Sequence, residues 1–308
     1  FVDLTSDSVP KLTLDGPEGG AGLPVLYLAK SLLPTLGIKI AGEASTPTDG
    51  AALAAALEKA ANEGKPASIE LSAHLTGDVN LARESRRERN VVGVLRAGVP
   101  DAPAIVLGAH YDHLGFGGRN SLSPGVKAIH PGADDNASGT AALLHAAALL
   151  KKQGPTHPVD IYFVAFTAEE VGLVGSSRFV EKLPADLRKD RIKAMFNFDM
   201  VGRLASAAGQ TLPSVVVQGS DSAAEWAELV APRCQNLGLF CRLGGDGYGP
   251  SDMTPFYASG VPVLFFFTGA HADYHRPSDT ADKINSIGIV QVAGLASGIV
   301  QSLVDRLQ

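Results

Sequence analysis

The chain has 308 residues, of which 45% are hydrophobic, and it carries a formal net charge of −6. That length supplies one large core, or one core with a small appendage. The acidic balance argues against a nucleic-acid partner. No apolar run approaches the roughly 20 residues needed to span a bilayer, so the chain reads as soluble with no membrane partner.

Residues 1–44 are rich in Gly and Pro, with one strand candidate, Leu23–Ala29, and a short segment, Ser31–Leu36. An Ala-rich helix is expected over Asp49–Asn62, ended by Gly64-Lys-Pro66, and a strand with period-two alternation over Ala67–Ser72. The basic cluster Arg83–Arg89 is interleaved with acids and reads as solvated surface. From Asn90 onward strands and helices alternate. Strands are expected at Asn90–Arg96, Ala104–His110, Val159–Phe166, Ile192–Phe198, Ser214–Gln218 and Val263–Phe267. Helices are expected at Ser138–Lys152, Gly172–Leu183, Ser222–Asn236, Asp252–Ser259 and Ile287–Leu307. A short segment, Phe240–Leu243, leads into a Gly-rich loop, Gly244–Gly249. Several strands are apolar on both faces. The pattern predicts a three-layer α/β/α fold with a mixed, largely parallel central sheet. Residues 1–44 are expected as a small N-terminal segment and 45–308 as the main domain.

Five stretches carry potential metal ligands: His110-Tyr-Asp112, the pair Asp134-Asp135, Glu169-Glu170, Asp199, and His275. Asp134-Asp135 alone would be a turn before a helix, with Gly132 permitting sharp geometry and Ser138 capping the helix. The company they keep changes that reading. His110, Glu169, Glu170 and Asp199 each fall at or just past the carboxyl end of an expected strand, the edge at which α/β sheets form sites. A carboxylate has two oxygens, so one Asp can bridge two metal ions. With His and carboxylates and no Cys on offer, the set suits zinc or cobalt with an open position. Asp112, two residues beyond His110, can accept the proton of its second ring nitrogen; His113 is the alternative ligand. One of Glu169 and Glu170 would bind metal while the other stays free as a general base. Asp199 ends an otherwise apolar strand, where an unpaired carboxylate needs something positive beside it. His74, His145 and His157 lie in ordinary contexts, and His130 and His271 lie near the site. Cys234 and Cys241 are close enough for a disulfide in an oxidising compartment, or for two reduced thiols.

These motifs, with Gly132-Ala-Asp-Asp-Asn-Ala-Ser-Gly139, Ala168-Glu-Glu-Val-Gly172, Asn197-Phe-Asp-Met200 and Tyr274-His275, resemble the ordered motif set of the M28 family of co-catalytic zinc aminopeptidases, over about residues 90–300. The resemblance implies the zinc-exopeptidase (phosphorylase/hydrolase-like) fold, with a peptide bearing a free N-terminus as substrate and two zinc ions per chain. It implies His110, Asp135, Glu170, Asp199 and His275 as their ligands, Asp135 as the bridge, and a cis bond from Asp135 to Asn136. It implies Glu169 as the base, Asp112 as partner of His110, and Tyr248 or Tyr274 as the oxyanion stabiliser. A bacterial leucyl-type enzyme would prefer apolar N-terminal residues; Phe265–Phe267 and Met253 are candidates for its pocket, though they read more readily as core. Residues 15–28 are similar to the end of a protease-associated domain, so 1–44 would be a remnant of one. The family habit and a first residue, Phe1, other than Met predict a secreted or periplasmic monomer with its signal removed. Four rivals share the fold: a single-zinc glutaminyl cyclase, a non-catalytic receptor-like domain, which would be expected to have lost ligands or the base, a dipeptidase, and a carboxypeptidase, for which Arg203 or Arg276 would have to bind the substrate carboxylate.

Overall fold

A computed structural model describes residues 87–152, 158–206 and 208–307, the strand residues 38–40 and 69–71, and scattered positions of 53–64. Contacts divide the chain into two compact units, Phe1–Arg86 and Arg87–Gln308. In the first, β1 (Ile38–Ile40) pairs antiparallel with β2 (Ile69–Leu71), and Leu53, Ala55, Ala56, Lys59 and Asn62 are among the helical positions. The expected strand at Leu23–Ala29, the segment Ser31–Leu36, His74 and His157 lie outside the described residues.

The second unit is built on a mixed eight-stranded sheet. Its strands are β3 (Val91–Leu95), β4 (Ala104–His110), β5 (Asp160–Phe166), β6 (Ile192–Phe198), β7 (Ala205–Ser206), β8 (Pro213–Gln218), β9 (Phe240–Gly244) and β10 (Val263–Phe267). The order is β3-β5-β4-β6-β10-β8-β7, with β9 pairing β8. Strands β5, β4, β6 and β10 run parallel; β3 and β8 flank them antiparallel.

The helices are α1 (Gly139–Lys152), α2 (Val174–Glu181), α3 (Trp226–Asn236), α4 (Met253–Ala258) and α5 (Ser286–Arg306). Alternate residues of each strand face opposite layers. Ile105, Leu107 and Ala109 of β4, with Phe196 and Phe198 of β6 and Leu264 and Phe266 of β10, pack in the layer of α1, α3 and α5. Ala104 and Val106, with Met195, Val263 and Phe265, pack in the layer of α2 and α4 against Phe179, Met253 and Phe256. Phe265 and Met253, the pocket candidates, are thus core.

Two features depart from expectation. Helix α5 is long and apolar enough to cross a membrane, by length and composition alone. Its Gln and Ser residues broke up the run at the sequence level, and Ile289, Val292, Leu295, Ile299 and Val300 bury it against the sheet and α1. The start of α1 is not capped by Ser138. Its hydroxyl donates to Asp134, and Asn136 Oδ1 accepts the Gly139 N–H at 3.0 Å instead.

Candidate metal centre

The parallel strands bring the predicted residues to one edge. His110 ends β4; Asp199 follows β6; Glu169 and Glu170 follow β5 in a short turn; His275 follows β10 by a loop. From β4 the chain crosses to β5 on one side and then to β6 on the other, so His110 stands at the point where the strand order reverses, the place where open α/β sheets bind ligands. Asp135 comes from a kinked turn, Ala133–Ser138, between β4 and α1, in which Asp135 and Asn136 leave helical geometry.

That turn needs Gly132. Its φ is +60°, and an added Cβ would sit 2.4 Å from the Asp135 carbonyl oxygen and 2.6 Å from the His113 ring. The Asp135–Asn136 peptide is cis. The residues either side of Asp135 are spent on anchoring. Asp134 Oδ1 accepts the Gly202 N–H at 2.6 Å and its Oδ2 lies 3.0 Å from His271 Nε2. Asn136 Nδ2 donates to the Phe198 carbonyl at 2.9 Å, and its Oδ1 accepts the Met200 N–H at 3.2 Å. Both anchors grip the chain around Asp199 and leave the Asp135 carboxylate facing the site.

Asp135 stands between two groups of donors. Its Oδ1 lies 3.3 Å from His110 Nε2, which lies 3.5 Å from Asp199 Oδ2. Its Oδ2 lies 3.1 Å from His275 Nε2, which lies 3.2 Å from Glu170 Oε2. Four donors at bonds of about 2.0–2.1 Å to a tetrahedral zinc stand about 3.3–3.4 Å from one another, so this spacing fits two such ions. Asp199 Oδ1 is buried without a hydrogen-bond partner, which again suits a cation. His110, Asp135 and Asp199 could hold one ion, and Asp135 and Glu170, with His113 or His275, could hold the other.

The backbone is strained where these residues sit. Ala168, Met200 and His275 adopt φ of +55°, +50° and +53°, a conformation that costs a non-glycine residue about 1–3 kcal/mol.

Charge is crowded. Burial pushes the Glu169 carboxyl up to about 9, helped by Asp199, Asp252 and Glu170 and opposed by His110. Burial likewise pushes Asp252 up to about 7. Burial opposes the charge on Asp135, yet His110 and His275 hold its carboxyl well below the usual range. It opposes the charge on His275 too, but Asp135 and Glu170 raise that imidazole to about 10. Among the described residues the cations facing these carboxylates are histidines. A bound dication would reverse this balance.

Other expectations meet the structure unevenly. Asp112 presents its carboxylate to the amides of Glu169 and Glu170, at 3.1 and 3.3 Å, rather than to His110. His110 Nδ1 is 3.7 Å from that carboxylate and 3.1 Å from the Asp112 carbonyl oxygen, so the backbone is the nearer acceptor. His113 lies 2.7 Å from Glu170 Oε1 and 4.0 Å from Asp135 Oδ2, beside the second group and away from the place of His110. Tyr274 stacks on His275, and burial with the charges of Asp135, Glu170, Asp199 and Glu169 pushes its hydroxyl above the usual range. Tyr248 is 55% exposed and packs on Tyr257. Arg203 is engaged by Asp273 and Asp279 at 3.3 and 3.1 Å, and Arg276 reaches Ser123. His130 is buried between Ser121 and the Ala128 carbonyl. Sequence reasoning missed Ser251, whose hydroxyl donates to Asp199 Oδ2 at 2.7 Å, and Asp279, which binds two amides of the Asp135 turn. Their spacing from the motifs, in a flexible-looking Gly/Ser stretch and four residues after His275, was the available signal.

Known proteins resemble this chain in sequence and fold. Aminopeptidase YwaD of Bacillus subtilis is 29% identical over 229 residues, covering 72% of this chain and 46% of its own length. A zinc aminopeptidase structure from Bacillus subtilis, BSAP, superposes with a TM-score of 0.55 at 27% identity, over 70% of this chain and 50% of that one. Glutaminyl cyclase of Porphyromonas gingivalis shares the fold, with a TM-score of 0.56 at 20% identity over 70% of this chain and 77% of that one. The chain spans about half the length of the first two. The model of peptidase family M28 matches residues 90–300, more than half of the chain, and the protein belongs to that family.

Proposed function

We propose that this chain is the catalytic part of a two-zinc aminopeptidase that removes apolar residues from peptides with a free N-terminus. The observation that carries this reading is the position of Asp135, whose two oxygens each face a different histidine and a different carboxylate partner. Bound there, two zinc ions would supply Lewis acidity to activate water and polarise the scissile carbonyl.

The chain's own groups do the rest. Glu169 lies 3.9 Å from His110 Nε2, near the ligands but outside both groups. As a carboxylate it takes a proton from the attacking water and passes it to the departing amine. The Asp112 carboxylate fixes the turn that carries Glu169 by accepting its amide. The Tyr274 hydroxyl donates a hydrogen bond to the oxyanion that develops on the carbonyl; its place on His275, among the site carboxylates, favours it over Tyr248. The engagement of Arg203 by two carboxylates weighs against a pocket for a substrate carboxylate. The Cys234–Cys241 disulfide joins α3 to β9 and supports an exported location.

The test is hydrolysis of leucine p-nitroanilide by wild type beside Glu169→Gln, with zinc counted in both. Wild-type activity, a fall in kcat of about 10²–10⁴-fold in the variant, and two zinc ions in each would support the reading. Two zinc ions without activity on any free-amine substrate would sink the aminopeptidase assignment. A single ion in wild type would point to a cyclase-like centre.

A further inference from the structure

We propose that Asp279 positions the shared ligand Asp135, and so sets the affinity of the centre for both of its metal ions. The inference rests on the two-zinc reading of Asp135. Asp279 is fully buried and lies four residues after His275. Its Oδ2 accepts the amide of Asp134 at 2.8 Å and that of Asp135 at 3.1 Å. Its own carbonyl accepts the amide of Ala133 at 3.2 Å. Three successive N–H groups of the turn that presents Asp135 thus end on one residue from the far end of the chain.

The other end of Asp279 is also held. Oδ1 accepts from Arg203 Nη2 at 3.1 Å, which gives the buried carboxylate its positive partner. Its amide donates to the Arg276 carbonyl at 3.1 Å, tying it to the loop that starts at His275. Asp279 therefore joins the turn of Asp135 to the loop of His275, two stretches whose ligands must meet at one ion.

The chemistry of the clamp is specific. A carboxylate oxygen can accept two amide protons at once while the second oxygen takes an arginine. In Asp279→Asn one of these positions becomes an NH₂ facing another donor. If the NH₂ faces the amides the turn is pushed away, and if it faces Arg203 the hold on the second oxygen is lost; either way the clamp loosens and both oxygens of Asp135 move with the turn. Asp134 and Asn136 hold the opposite side of the turn to Gly202, Met200 and Phe198, so the displacement falls on Asp135 between them.

The experiment is chelator-competition titration of zinc on wild type and Asp279→Asn, with the melting temperature of the metal-free proteins measured alongside. Orienting residues behind metal ligands typically contribute about 10–100-fold in affinity, and that is the loss expected here for both ions. Wild type and variant binding two zinc ions equally tightly would overturn the inference alone, even with a lowered metal-free melting temperature, since that pattern marks a purely structural role. Wild type holding fewer than two ions would overturn the two-zinc reading and the inference with it. Should Asp279→Asn not fold, Arg203→Gln carries the test. It removes the grip on the second oxygen and leaves the clamp in place but mobile. A several-fold loss of zinc affinity in that folded variant supports the proposal, and unchanged affinity overturns it.

Discussion

The two ends of the parallel strands bury charge in opposite ways. At the amino end Asp160 opens β5. It accepts Arg191 Nη2 at 2.7 Å and the Ala97 amide at 2.8 Å, with Arg96 at 3.5 Å. Arg191 Nε and Nη1 also donate to the carbonyls of Ala102 and Asp186, at 2.6 and 2.9 Å. Every charge there has an opposite charge or a dipole beside it. At the carboxyl end Asp135, Glu169, Glu170, Asp199 and Asp252 gather around histidines, and Asp199 and Asp252 keep buried oxygens without partners. A balanced buried cluster holds strands together; an unbalanced one is waiting for a cation.

The comparison breaks most sharply at Asp135. On the two-zinc reading Asp135→Asn removes the one charge both ions would share, so the variant should retain less than one zinc per chain and lose any peptide hydrolysis of the wild type, as zinc analysis beside an activity assay would show. If two ions remain, the imbalance at that end has another cause. The opposite end should respond in the opposite currency. Arg191→Met leaves Asp160 short of its closest cation and should lower unfolding free energy by about 3–5 kcal/mol in urea, with zinc content and kcat unchanged. A loss of zinc there would mean that the two ends are not independent.

A smaller and more graded effect sharpens the contrast. In metal-free protein the Glu169 carboxyl sits near 9 and the His275 imidazole near 10, both above their unfolded values. In each case the native state holds the proton more tightly than the unfolded chain does. Native stability is therefore lost as pH rises, from about 4.5 upward for Glu169 and from about 6.5 upward for His275. The melting temperature of metal-free protein should fall steadily between about pH 5 and pH 9, and saturating zinc should remove most of that slope. A flat metal-free profile would mean that the carboxylates are relieved in some other way.

Much of the candidate site was legible because most of its potential ligands lie at or just past strand ends, and strands buried on both faces announce themselves as apolar runs. Ala104–His110, Ile192–Phe198 and Val263–Phe267 begin and end as the sequence predicts. β1 and β7 were not, since three residues and two residues are too few to establish an alternation. The start of α1 was misjudged because two candidates, Asn136 and Ser138, compete for one capping role and only tertiary contacts decide between them. Asp112 was expected on the imidazole of His110 and is found on two amides, a choice set by the turn after β5. The contacts of Asp279 could not be read from the sequence, because its partners lie 144 and 145 positions away; only its place four residues after His275 hinted at a role.

The order in which the ligands occur along the chain has a consequence for how metal enters. His110 and His275 stand at opposite ends of the catalytic unit, and they converge on Asp135 only once β4, β6 and β10 lie side by side. Among the described residues no short fragment contains a complete donor group, so on the two-zinc reading an unfolded or half-made chain would have little hold on zinc. Metal then discriminates almost wholly in favour of the finished sheet, and at about a hundredfold excess over its dissociation constant each ion would add about 2.7 kcal/mol to the native state. On the two-zinc reading, zinc would act as an inspector of folding, staying only with chains whose strands are already in register.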